Sequence, residues 1–142
     1  MVIPVISALG GAFIGSFISG QNQKSLFIEQ QKKENKLRTL GACNAFLDVA
    51  GTKVLTSEII GPDPYLYFDS KTYEDTVRPV LFKHLHNYPK SVTKIVYSID
   101  SDLQRYYSKE GADIEEIDET AFKYNNLVEE IKNVISNYQT DK

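Results

Sequence analysis

The sequence predicts an all-α protein: one N-terminal transmembrane helix, a charged helical stalk, then a small antiparallel bundle of about four helices. Three observations carry this. The first twenty residues hold no charged side chain. From Leu37 to Tyr138 apolar residues recur three and four positions apart, the helical period. Pro and Gly at 61–64, 89 and 111 cut that stretch into helix-length pieces. The chain then divides into an anchor at 1–20, a stalk at 21–36 and a bundle at 37–142.

The 19 residues from Val2 to Gly20 span about 28 Å as a helix, close to the hydrocarbon thickness of a bilayer. Pro4 fits the first turn, where its missing N–H costs nothing. Small residues recur every four positions in two adjacent stripes: Ser7, Gly11, Gly15 and Ser19, and Ala8, Ala12, Ser16 and Gly20. In lipid, helices associate through close backbone approach, so these stripes point to a homo-oligomer. A cleaved signal peptide fits less well, because Met1–Pro4 carries no basic side chain and Phe17–Gly20 makes a poor cleavage site. Leu40-Gly41-Ala42-Cys43 has the letters of a lipoprotein box but follows Lys32, Lys33, Glu34, Lys36 and Arg38, where an apolar run is required.

Lys24, Lys32, Lys33, Lys36 and Arg38 follow the anchor closely, and no basic side chain precedes it. The positive-inside rule therefore places the amino terminus outside and the carboxy-terminal domain in the cytoplasm. The same five side chains are candidates for membrane lipid headgroups, each contact worth about 1 kcal/mol. Behind the anchor, 122 residues with one cysteine are enough for a core without disulfides. A net charge of −3 gives no argument for nucleic acid.

Along the body, Gln21 to Ile60 reads as one long helix whose seam is Leu40, Cys43, Leu47, Ala50 and Val54, widened by Leu37 and Phe46. Gly61-Pro62-Asp63-Pro64 breaks it, and Tyr65-Leu66-Tyr67-Phe68 reads as an extended strip over the bundle. A second helix covers 72–88 with Val77, Val80, Leu81, Leu85 and Tyr88 inward, capped by Asp69, Ser70 or Thr72, and Pro79 either kinks it or sits in its first turn. A third follows Pro89, with Val92, Ile95, Val96, Ile99, Leu103 and Tyr106 inward, and Gly111 ends it. The last, Asp113 to Tyr138, turns Ile114, Ile117, Phe122, Leu127, Ile131, Val134, Ile135 and Tyr138 inward. The acidic residues of its first turns oppose the positive end of the helix dipole, which gives them a structural reason.

Chemistry-bearing patterns are few. His84 and His86 stand two apart, which on a helix sends them to different faces, and no third His or second Cys completes a metal site. No phosphate-binding glycine loop and no nucleophile elbow occurs, so no cofactor is expected. Cys43 falls on the inner seam as a packing residue. Tyr65, Tyr67, Tyr106 and Tyr107 are candidates for a partner surface, since aromatics concentrate at interfaces. The expectation is a non-enzymatic single-pass membrane protein whose helical domain binds a protein partner or the subunits of a complex. The alternative is an oligomeric effector or pore assembled through the Ser7/Gly11/Gly15/Ser19 stripe.

Overall fold

The first long helical pattern forms helix α1, Leu9–Thr52. The computed structural model describes the backbone of residues 9–140 and the side chains of residues 23–139. Two units make up the chain, 1–37 and 38–142. In the first, the side chains of 23–35 are all exposed, including Leu26, Phe27 and Ile28. Among the described residues no helix is long and apolar enough to cross a membrane. The physical reason lies in α1 itself: its apolar part stops at Gly20, and Gln21-Asn22-Gln23-Lys24 follows.

The second unit is mostly helical, but all-α is corrected by a small antiparallel hairpin. Strand β1, Thr56–Ile59, pairs with β2, Tyr65–Phe68, with Thr56 opposite Phe68 and Ile59 opposite Tyr65. The long helix therefore stops at Thr52, short of the Ile60 expected. Thr52 Oγ1 turns back to Val49 O (2.8 Å), and the β-branched Thr56 and Ile59 suit a pleated strand better than a helix. Gly61-Pro62-Asp63-Pro64 is the hairpin's connection. The expected extended strip is β2, which packs along the last helix and is fixed there where Leu66 N donates to Asp118 Oδ1 (2.7 Å).

Asp69 proves to be the cap. Its carboxylate accepts from Thr72 N (3.1 Å) and Thr72 Oγ1 (2.6 Å), bonds to the charged form that hold it below the usual carboxylate range. The helical turn Ser70–Thr72 passes through a π-helical turn, Tyr73–Val77, into helix α2, Arg78–Lys83. Pro79 explains the widening. Its ring would clash with the carbonyl four residues back, and it has no N–H to give. Arg78 N bonds instead to Tyr73 O, five residues back, and Pro79 occupies the first turn of α2.

Helices α3, Lys90–Ser108, and α4, Ile114–Thr140, pack against each other. The buried face of α3 is the expected one: Val92, Val96, Ile99, Leu103 and Tyr106. On α4 the expected Leu127, Ile131 and Val134 are buried, but in its first half Thr120, Ala121 and Tyr124 take the inner positions while Ile114 and Phe122 are exposed. On α1 the buried residues are Thr39, Ala42, Cys43 and Phe46, so Phe46 is central, and Val54 lies past the helix end and is exposed. Tyr88 Oη donates to Ala42 O (2.9 Å) and Thr39 Oγ1 to Asn87 O (2.8 Å), tying the segment before α3 to α1. An aromatic cluster joins these elements. Phe68, Tyr73 and Tyr124 lie with ring centroids 5.5 to 6.0 Å apart, and Phe46 is 6.3 Å from Tyr124.

Candidate functional site

The turn between α3 and α4 builds one wall of an open cavity. Helix α3 closes with Gly111 N bonded to Tyr106 O (2.8 Å) and Glu110 N to Tyr107 O (3.3 Å), the paired bonds of a Schellman ending. In that motif the left-handed position is usually glycine. Here Glu110 holds it, at φ 61°, and Gly111 follows at φ 148°. The expected glycine stop is thus displaced by one residue, and a carboxylate occupies the slot that disfavours side chains.

Helix α4 begins with a reciprocal capping box: Glu116 N donates to Asp113 Oδ1 (2.8 Å), and Asp113 N to Glu116 Oε1 (3.3 Å). Glu116 also accepts from Lys109 Nζ (2.6 Å) and Arg105 Nε (3.3 Å). The Lys109 ammonium first, then Asp113 N–H and Arg105, pulls its carboxyl down to about 2. Behind this lies a buried acid that the sequence does not single out. Asp102, its side chain only 3% exposed, accepts from Lys123 Nζ (2.9 Å), Arg105 Nη2 (3.1 Å) and Thr120 Oγ1 (2.9 Å). Tyr106 Oη donates to Glu116 O (2.7 Å) and shares a short hydrogen bond with Thr120 Oγ1. The ring of Tyr106 is therefore clamped between two helices.

Above this frame the cavity encloses about 390 Å³, at the lower end of the range for ligand pockets. Tyr67, Phe68 and Ser70 form one side, Tyr106 and Tyr107 a second, and Glu110, Gly111, Ala112 and Ile117 the rest. Tyr106 is buried, whereas Tyr67 is 41% and Tyr107 64% exposed. Tyr107 Oη donates to Glu74, and this bond, ahead of burial, holds its phenol above the usual range. The Tyr106 phenol is also raised, chiefly by burial. Among the described residues no hydrogen bond or ion pair is made by the Glu110 carboxylate.

Three of the four tyrosines picked from the sequence thus meet at one cavity. Tyr65 does not. It lines a separate cavity of about 280 Å³ with Glu58, Ile59, Pro64 and Asp118 at the other end of β2. The sequence does not mark Phe68, Ser70, Glu110 or Ile117 for this surface. For Phe68 the signal was its place in an aromatic run; for Glu110 none exists in the sequence. Lys24, Lys32, Lys33 and Arg38 are exposed on α1, and Lys36 is half-buried there. Ser7 and Ala8 lie outside the described residues, and of Gly11, Ala12, Gly15, Ser16 and Ser19 only the backbone is described. His84 sits in the turn after α2, half-buried, and His86 is exposed. Burial pushes the Cys43 thiol up to about 11, as befits a packing residue. Among the described residues no group of three or more His, Cys, Asp or Glu is placed to hold a metal ion.

Comparison with known proteins adds no relative: no family model matches the chain, and neither does any curated protein or solved structure.

Proposed function

We propose that this chain is a non-enzymatic single-pass membrane protein whose helical domain docks a protein partner through the aromatic cavity beside Tyr67, Tyr106 and Tyr107. The convergence of those three rings on one open cavity is the observation that carries the reading. Exposed tyrosine faces over a clamped tyrosine give the mixture of rigid and accessible aromatic area that protein interfaces favour. Support for the anchor is the uncharged stretch 1–20, and support for the orientation is the set of five basic residues from Lys24 to Arg38. Self-association through the small-residue stripes of residues 7–20 belongs to the same proposal.

The test uses the full chain expressed in cells. It should pellet with membranes in the absence of detergent, and an intact, monodisperse product in the supernatant overturns the anchor. In mild detergent its mass should exceed that of one chain, while a monomer overturns self-association. A photo-crosslinker at Tyr107 should give a stoichiometric adduct that Tyr67→Ser removes. The same crosslinker at Tyr97, exposed elsewhere on α3, should give none. Equal adducts at both positions, or none at either, overturn docking at this cavity.

A further inference from the structure

We infer that the cavity receives the cationic side chain of a lysine or arginine presented by the protein partner, held between the Tyr67 and Tyr107 rings with its charge at Glu110. This rests on the docking reading above and names the chemistry of what docks. The walls are the first argument. Tyr67, Phe68, Tyr106 and Tyr107 all line the cavity, and an aromatic face attracts a cation through the negative potential over its ring. Two of these rings are primed for it. Tyr106 gives its phenol proton to Glu116 O and Tyr107 gives its own to the Glu74 carboxylate. A phenol that donates a hydrogen bond holds more electron density on its ring, which strengthens the attraction. The molecule already uses this contact elsewhere, where the Arg78 guanidinium lies 4.1 Å from the centroid of Phe82.

Charge is the second argument. Glu110 lines the cavity. The cations nearest it in the chain are both committed, Lys109 to Glu116 and Arg105 to Glu116 and Asp102. Glu110 thus lines the cavity, and among the described residues no ion pair compensates its charge. Between Arg105 and Glu119 the chain carries two basic and six acidic side chains, so an approaching cation is favoured and an anion repelled. The left-handed backbone of Glu110 is the third argument. Glycine would fill that slot without strain, and a carboxylate held there is the kind of local outlier that marks a functional position.

The experiment titrates isotope-labelled full chain in detergent micelles with short Gly/Ser peptides carrying one central lysine, arginine or norleucine, following the amide signals of Gly111 and Ala112. The lysine and arginine peptides should shift these signals saturably, with affinity about tenfold above that of norleucine. Glu110→Gln should weaken the cationic peptides about fivefold, with norleucine unchanged and the melting temperature retained. Norleucine binding as well as lysine, or indifference to Glu110→Gln, overturns the cation and leaves an aromatic docking cavity standing. Silence from all three peptides while the Tyr107 adduct persists also overturns the cation alone. Silence together with loss of that adduct overturns the docking reading itself.

Discussion

Two buried polar regions of the helical body solve the same problem in opposite ways. Beneath the cavity, Asp102 is surrounded by Lys123, Arg105 and Thr120, and both of its carboxylate oxygens accept hydrogen bonds. In the aromatic cluster, the hydroxyls of Tyr73 and Tyr124 are buried without a hydrogen-bond partner. A buried carboxylate without partners would cost several kcal/mol, so its network is obligatory. A buried phenol without a partner costs only about 1–3 kcal/mol, which ring packing can offset. The cavity wall is thus held by directional bonds, and the core behind it by shape.

The hardest way to break that contrast is Asp102→Ala. It leaves Lys123, whose side chain is 24% exposed, with only the more distant Glu119 carboxylate at 3.8 Å, and should cost about 3 kcal/mol by denaturant unfolding. An unchanged midpoint would show that the network is ornamental. Acid probes the same region more gently. The Glu116 carboxyl is held down to about 2 by Lys109, Asp113 N–H and Arg105. Its unfolded value is that of an ordinary glutamate, so its contribution is present above that value and is lost as pH falls toward 2. Thermal melts should therefore show destabilisation below about pH 4.5, and Glu116→Gln should flatten that slope. A slope unaltered by Glu116→Gln would assign acid lability to other carboxylates.

The opposite sign is expected in the core. Tyr124→Phe removes an unpartnered hydroxyl and should raise stability by about 1 kcal/mol. Tyr88→Phe makes the same chemical change where the hydroxyl donates to Ala42 O at 2.9 Å, and should lower stability by about 1 kcal/mol. Equal losses from both would mean that water or a relaxed geometry satisfies Tyr124.

These two regions also show what a sequence can and cannot disclose. The buried face of α3 was legible because five apolar residues repeat at the helical period and nothing interrupts them. Asp102 was not, because its burial depends on Lys123 and Thr120 arriving from α4. The full burial of Tyr73 and Tyr124 was not legible either, because a tyrosine at helical spacing fits a core edge as well as a core centre. The hairpin escaped because strands of four residues are too short to show alternation against the helical pattern beside them. At the candidate site the aromatic residues were legible by type. Glu110 was not, because its importance comes from a backbone angle and from what its neighbours bind.

The smallest expected effect separates the cavity from its frame. Glu110→Gly relieves a left-handed residue, worth about 1–2 kcal/mol, but adds backbone freedom to the unfolded chain, which returns about 0.5–1 kcal/mol. The net gain should lie between about 0 and 1.5 kcal/mol and appear as a slightly higher melting temperature. Asp102 and Glu116 keep their hydrogen-bond partners in this variant, so the frame should be intact while the Glu110 carboxylate is gone. A chain that becomes more stable and binds cationic peptides less well would show that Glu110 is kept against the interest of the fold. A chain that becomes less stable would show instead that the Glu110 side chain belongs to the scaffold, and would move the origin of the strain to Gly111.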